Sequence, residues 1–399
     1  MGTSDVSRVR VTGPLAPFVT GFIGELESKG YRPCPACLQV RLMAHVSRWL
    51  HDHQLEPGEL TDERVEEFLV ARRAEGFAHL LSIRGTVPLM NYLRLVGAIP
   101  TPGPAPRTPT LDLLTTFRHF LFDERGLCAG TVDNYASVAD LFLREYFVTA
   151  DVCLTDLTSA DVVRFVSAQC RHHSAGNIAS GLRAFLRYCH VEGLTTGSLA
   201  EAIPSVASWR LSSLPKGLAP DHLRAVFEGC DRESDVGARD FAILKLLARL
   251  GLRAGEVAAM ELGDIDWRRG EIVVRGKGPR REFLPLPADV GEAVAHWLRH
   301  GRPISEYLNV FIADHAPRGP LTGSAVSRIV RRACSRAGLT EAGAHCLRHT
   351  AATEMLRGGA TLSEIGQVLR HQDLMTTAIY AKVDDRALLC VAQPWPSAS

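Results

Sequence analysis

The spacing of apolar residues over the second half of the chain predicts a series of helices. Apolar positions recur three and four residues apart, which places them on one face of an α-helix. Such patterns run through residues 221–230, 238–250, 255–262, 289–300, 323–338, 345–358 and 361–370. Gly251 follows the second of these runs, where glycine commonly ends a helix. This half of the chain is therefore predicted to be mostly helical.

A short β-rich stretch interrupts these helices. Residues 271–276 read EIVVRG and residues 281–287 read REFLPLP, and the turn residues KGPR lie between them. Two β-rich runs joined by a short turn are typical of a hairpin. The sequence thus predicts a mainly α fold with a small antiparallel β-sheet.

Two proline-rich stretches divide the chain into three segments. Residues 100–110 read PTPGPAPRTPT and suit a stiff extended spacer, and prolines also interrupt the helical pattern over residues 203–220. We predict a helical accessory domain over residues 1–105, a helical domain over residues 106–203 and a third domain over residues 215–399.

The first two segments resemble each other in pattern. LTDERVEEFL begins at Leu60 and LTSADVVRFV begins at Leu157. In each, the threonine, Thr61 or Thr158, is predicted to cap a helix whose first turn carries carboxylates. A degenerate duplication of one helical unit explains this match, and the general likeness of helical bundles explains it nearly as well.

Composition and charge indicate a globular protein with basic surface in its second half. The chain of 399 residues is 46% hydrophobic and 22% charged, which is ordinary for a globular protein and excludes disorder. The formal charge of +1 conceals basic runs at residues 267–281 and 318–338, where we expect a polyanion to bind. The pattern contains neither a signal peptide nor a membrane span, so a cytoplasmic protein is expected.

The ten cysteines are scattered among helical patterns and are expected to be thiols in a reducing compartment. Cys34 and Cys37 form a CxxC pair, and His45, His51 and His53 follow. None of these histidines supplies a second ligand pair at a zinc-site spacing. We expect a turn with two ordinary thiols, with a zinc site as the alternative, and we predict no cofactor.

Six places in the third segment hold polar side chains at predicted element ends, where they can point into a cleft. The residues are Arg253, Glu256, Lys277, His345 with Arg348, His371 and Tyr380. Arginine does not ligate metals and no carboxylate cluster accompanies the set, so it makes a poor metal site. Guanidinium groups stay charged and bind phosphate oxygens in a fork, so the set suits a phosphate. Each residue alone has an ordinary structural explanation.

The ordered motifs LGLRAGEV, RGKG, HCLRHTAATEML and LRHQDLMTTAIYAKV closely resemble the tyrosine recombinase, or phage integrase, family. Each motif alone is weak, but the ordered combination is specific. The resemblance covers residues 220–385 well. It covers residues 106–203 moderately, and implies there a helical, SAM-like core-binding domain that embraces DNA opposite the catalytic domain. Residues 1–105 resemble at most an additional copy of that domain.

The resemblance implies a role for each matching residue. Tyr380 would attack a DNA phosphodiester, form a 3′-phosphotyrosyl link and free a 5′-hydroxyl. Arg253 and Arg348 would hold the non-bridging oxygens, whose charge grows in the transition state. Lys277 would protonate the leaving oxygen. No metal and no nucleotide cofactor is implied.

The remaining residues of the motifs have supporting roles by the same resemblance. His345 would assist proton transfer at the tyrosine, and His371 would donate to a phosphate oxygen. Glu256, one turn after the first arginine, would orient the active-site side chains. His349 is assigned to packing or support of the site. Arg370 departs from the family, which usually has glycine at this position.

Further arginine side chains are predicted to contact the DNA backbone, with a face that meets only water as the alternative. They lie on the polar faces of predicted helices over residues 176–193 and 323–338 and in the hairpin. These residues are Arg183, Arg187, Arg280, Arg281, Arg328, Arg331, Arg332 and Arg336.

We therefore predict a site-specific recombinase acting on double-stranded DNA, for integration, excision or transposition of a mobile element. The resemblance implies a homo- or hetero-tetramer on two DNA sites, with companion recombinases as possible partners and no membrane partner. It favours exchange of the apolar patch at residues 388–391 between subunits, with closure of the protein's own core as the alternative. Two alternatives stay open: a type IB topoisomerase that relaxes supercoils as a monomer, and a DNA-binding regulator that does not cleave. The complete catalytic set argues against the regulator.

Overall fold

The computed structural model of this protein describes residues 6–101, 108–147, 153–171, 174–204, 217–276, 281–340, 342–371 and 376–383. By backbone contacts the chain divides into two compact units. One unit comprises Met1–Pro100 with Leu211–Ser399, and the other comprises Thr101–Arg210. Both dividing points fall in the proline-rich stretches, while the division into three domains stays a prediction.

The N-terminal part of the first unit is a helical bundle. Its described helices are α1 (Val19–Ser28), α2 (Pro33–Asp52), α3 (Asp62–Ala74) and α4 (Ile83–Leu95). Phe22, Met43 and Leu93 are fully buried between them. As predicted, Thr61 caps α3, and its side chain accepts a hydrogen bond from the backbone N–H of Arg64.

The expected turn at Cys34 and Cys37 is wrong, because both residues lie in α2, near its start. Pro33 begins this helix, where its fixed φ fits and its missing N–H has no partner to lose. Cys34 is exposed and Cys37 is buried. Over the described ranges, no group of three or more histidine, cysteine or acidic residues is arranged to hold a metal ion.

The second unit is a separate bundle with an aromatic core. Its described helices are α5 (Pro109–His119), α6 (Ala129–Tyr146), α7 (Ser159–Gln169) and α8 (Ala175–Val191). Phe142 packs edge-on against Phe165, with ring centroids 5.0 Å apart, and Phe185 packs likewise against Phe117. The predicted cap of α7 is confirmed, since Thr158 accepts a hydrogen bond from the N–H of the third helical residue.

The C-terminal part of the first unit combines helices with a small sheet. The described helices are α9 (Pro220–Glu228), α10 (Asp235–Leu250), α11 (Ala254–Ala259), α12 (Ala288–His296), α13 (Gly323–Arg336), α14 (Ala344–Arg357) and α15 (Leu362–Val368). The strands are β1 (Ile265–Asp266), β2 (Glu271–Arg275) and β3 (Arg281–Pro285). All three are antiparallel in the order β1-β2-β3. The predicted fold class and hairpin are confirmed, but β1 was missed because two residues show no alternation.

Helix α10 lies at the centre of this part. It packs against α12 and α14, and Ile243, Leu244 and Leu247 on it are fully buried. The helix ends at Gly251, whose φ of +60° is left-handed. A Cβ atom at Gly251 would also overlap the Cδ2 atom of the fully buried Leu369. Glycine thus allows the sharp turn that leads into α11.

Over the described residues, no helix combines the length and the apolar character needed to cross a membrane.

Substitution at Gly251 tests this close approach. We expect Gly251→Ala to lower the free energy of unfolding by the strain of a left-handed alanine, about 1–2 kcal/mol, and by a further overpacking cost of about 1–3 kcal/mol. Gly270→Ala is the matched control, since Gly270 has φ +65° and open space around its Cα. Urea denaturation measures both variants, and equal losses would show that the contact with Leu369 is unimportant.

Candidate active site

Arg253 stands immediately before α11 and is held by Glu256. Its backbone N–H donates to Oε2 of Glu256 at 2.8 Å, and its Nη1 donates to Oε1 at 2.7 Å. The Glu256 side chain is only 7% exposed, whereas that of Arg253 is 47% exposed. Glu256 therefore holds both the backbone and one side of the guanidinium of Arg253, while the rest of that side chain faces solvent.

Arg348 lies in α14 and is almost fully buried. Its Nη1 donates to the carbonyl of Gly251 and its Nη2 to the carbonyl of Leu369. Burial, together with the nearby charge of Arg253, lowers the pKa of Arg348 to about 10. Because its hydrogen-bond partners are neutral carbonyls, this buried cation favours an anion beside it.

Tyr380 reaches the same place from a short 3₁₀-helix, Ala378–Val383. Its ring packs in a cluster with Ala352, Ile365 and Leu369 and is 1% exposed. Its hydroxyl lies 2.8 Å from Nδ1 of His349. Burial raises the pKa of this hydroxyl, and the charge of Arg348 acts in the opposite direction.

His345 and His349 are one turn apart on α14, and their rings meet edge to face with centroids 4.3 Å apart. We expected His345 to serve the tyrosine and His349 to pack, yet it is His349 that contacts the hydroxyl of Tyr380. Residues spaced i, i+4 on a helix can bring their side chains together. This spacing did not indicate which of the two rings the tyrosine reaches, and the role of each stays a prediction.

His371 lies just after α15, where its Nδ1 is 2.7 Å from Oγ1 of Thr377. Burial lowers the pKa of His371 to about 4, and the charges of Arg348 and Arg253 act in the same direction. Burial likewise lowers the pKa of His349 to about 4, with His345 and Arg348 contributing. These imidazoles are neutral at pH 7 and can each accept one proton. Thr377 lies within the motif LRHQDLMTTAIYAKV, but no role was predicted for it.

Some predicted site residues lie outside the described part of the chain. These are Lys277, Arg280 and the apolar patch at residues 388–391. Arg281, which follows Arg280 in the hairpin, is exposed at the start of β3.

The predicted two faces of α13 are confirmed. Arg328, Arg331, Arg332 and Arg336 are exposed, whereas Val326, Ile329, Val330 and Ala333 are buried. In the second unit, Arg187 on α8 is exposed, and Arg183 is half-buried and donates to the carbonyl of Ile203 at 3.3 Å. Contact of any of these arginines with DNA stays a prediction.

Comparisons of the sequence identify the class of protein to which this site belongs. The family model described as the phage integrase family matches residues 216–387. The chain is 39% identical over 393 residues to the putative integrase/recombinase y4rA of Sinorhizobium fredii, covering 96% of this chain and 95% of that relative. It is 30% identical over 284 residues to the tyrosine recombinase XerD of Listeria monocytogenes, covering 68% and 94%. The protein is thus a DNA strand-cleaving and rejoining enzyme, and it belongs to the phage integrase, or tyrosine recombinase, family.

Solved structures show the same fold. The XerH recombinase bound to a palindromic difH substrate matches with a TM-score of 0.54 at 21% identity, covering 81% of this chain and 92% of that one. A lambda integrase tetramer bound to a Holliday junction matches with a TM-score of 0.53 at 20% identity, covering 79% and 88%.

The depressed histidine pKa values predict a pH dependence of stability. Between pH 6.5, the ordinary histidine value, and about pH 4, the unfolded chain binds protons that folded His349 and His371 do not. Stability therefore rises with pH across this window and is lost as pH falls. We expect His371→Asn to reduce the pH dependence of the free energy of unfolding. The reduction should be at most that of one bound proton, about 1.4 kcal/mol per pH unit.

Urea denaturation at half-unit pH steps measures this slope. His222→Asn, at an exposed site on α9, is the control for loss of a histidine as such. An unchanged slope in His371→Asn would contradict the burial effect.

Proposed function

We propose that this protein is a site-specific recombinase that cleaves and rejoins double-stranded DNA through a 3′-phosphotyrosyl intermediate, with Tyr380 as nucleophile. The observation that carries the proposal is the meeting of the Tyr380 hydroxyl, the neutral ring of His349 and the buried cation Arg348 in one place. A nucleophile, a proton acceptor and a phosphate-binding group are the parts that phosphoryl transfer from DNA to protein requires.

The phosphate is proposed to bind between Arg253 and Arg348. Hydrogen bonds already hold both arginine side chains in place. The site therefore needs little reorganisation when negative charge grows on the non-bridging oxygens. His371, held by Thr377, donates to one of these oxygens once it is protonated. The negative phosphate favours that protonation, because an opposite charge raises an imidazole pKa.

Proton transfer accompanies attack. As the Tyr380 oxygen bonds to phosphorus, its proton passes to the imidazole pair, directly to Nδ1 of His349 with His345 assisting behind it. The 5′-oxygen leaves and takes a proton from Lys277, in the role that the family resemblance implies. Because Tyr380 is buried, its 3₁₀-helix must shift to bring the hydroxyl to DNA. Rejoining reverses these steps, so no external energy source is needed.

Assembly and biological role are proposed by analogy. The lambda integrase tetramer on a Holliday junction supports a homo- or hetero-tetramer on two DNA sites, with companion recombinases as candidate partners. The name of one relative, integrase/recombinase, supports DNA integration, and excision or transposition of a mobile element is proposed beside it. The exposed arginines of α13, with Arg187, Arg280 and Arg281, are proposed to follow the DNA backbone.

A nicked suicide DNA site tests the nucleophile. The wild-type protein is expected to form a covalent adduct, resolved as a slower band on denaturing gels, and Tyr380→Phe is expected to form none. Tyr146→Phe is the control, because it also removes a hydroxyl with one hydrogen bond, to the carbonyl of Asp161. An adduct in Tyr380→Phe would reject the assignment.

Two differently tagged duplexes separate the recombinase from the alternatives. A recombinase joins the tags, a topoisomerase-like enzyme relaxes supercoiled DNA without joining them, and a regulator does neither.

A further inference from the structure

Arg370 occupies a backbone position that favours glycine. Its φ is +56°, in the left-handed region where a side chain crowds the backbone. The family resemblance also predicts glycine here. An arginine therefore costs strain at this position, and contacts of its side chain have to offset that strain.

Arg370 contacts three residues of the site, two through its guanidinium and one through its backbone carbonyl. Its Nη2 lies 2.6 Å from Oε2 of Glu256, and its Nε lies 3.6 Å from Oε2 of Glu282 on β3. Its carbonyl accepts a hydrogen bond from Nη2 of Arg253 at 3.3 Å. The side chain is only 5% exposed, so it contacts neighbouring residues and does not face a DNA strand.

Glu256 is thus shared between two arginines. Its Oε1 accepts from Arg253, and its Oε2 accepts from the Arg253 backbone and from Arg370. If Arg370 were absent, Arg253 would be the only ion-pair partner of this nearly buried carboxylate among the residues that the structure describes, and the carboxylate would neutralise the charge of Arg253. With Glu282 counted as well, the three guanidinium groups of the site, on Arg253, Arg348 and Arg370, exceed its two carboxylates by one positive charge, which is left for a ligand.

We propose that Arg370 is a positioning residue for DNA cleavage. By pairing with Glu256 it fixes the orientation of Arg253 and keeps the charge of Arg253 available to the scissile phosphate. This inference rests on the proposed function of the site.

Single-turnover cleavage of the suicide DNA site tests the proposal. Arg370→Gly removes the guanidinium and relieves the backbone strain, so we expect a folded protein with DNA affinity near that of the wild type. Because catalytic geometry is sensitive to misplacement, the cleavage rate should fall roughly 10- to 100-fold. Arg370→Lys keeps the charge and should recover part of the rate.

Gln54→Gly is the matched control. Gln54 also has a positive φ, +55°, and lies at an exposed site after α2. The substitution relieves the same kind of strain without touching the site, and cleavage should stay at the wild-type rate.

A methylphosphonate at the scissile position separates positioning from general damage. This group lacks the negative charge of the natural phosphate. Cleavage of the methylphosphonate should therefore depend less on the positive charge of Arg253. The deficits of Arg370→Gly and Arg253→Ala should therefore shrink by a similar factor on this substrate. A merely structural role would slow both substrates alike, and that result would overturn the proposal.

The remaining outcomes are distinct. If the wild type forms the adduct and Tyr380→Phe does not, but Arg370→Gly cleaves at the wild-type rate, only this inference fails. Failure of the wild type to form any adduct would reject the proposed function itself. If Arg370→Gly does not fold, Arg370→Lys and Glu282→Gln take its place. Their cleavage rates on the phosphate and methylphosphonate substrates then test the proposal by the same criterion.

Discussion

The site depends on the buried guanidinium of Arg348. From α14 it donates to the carbonyls of Gly251 and Leu369, which end α10 and follow α15. Carbonyls at helix C-termini lack intrahelical partners and carry partial negative charge, so they stabilise a cation without cancelling it. Arg253 lies two residues after the first carbonyl and His371 two residues after the second. One side chain thereby sets the positions of both.

Among the residues that the structure describes, this arrangement places more positive than negative charge at the site. Arg253, Arg348 and Arg370 converge on it, and the carboxylates that pair with them are Glu256 and Glu282. The imidazoles beside them are held neutral by burial and by the same cations. An excess of cations among these residues favours an anion beside them, and this property distinguishes a preorganised phosphate site from a structural salt-bridge network.

Much of the fold could be predicted because its signals are local. The helical period predicted α10, α13 and α14 with the correct buried faces, and the hairpin followed from two β-rich runs around a turn. Thr61 and Thr158 were recognised as caps because a cap depends on residues within one turn. The failures were also local: β1 is too short to show a period, and Pro33 begins a helix where a turn was expected.

Arg253, Arg348 and Tyr380 were recognised from their motifs, so the residue types available to the site and their order along the chain could be predicted. Which of these side chains touch is set by the folded chain. That His349 meets Tyr380, 31 residues away, depends on how the 3₁₀-helix packs on α14. The place of Arg370 between Glu256 and Glu282 likewise requires a helix, a strand and a loop to be assembled. Contacts between distant residues are fixed by packing, and no local pattern records them.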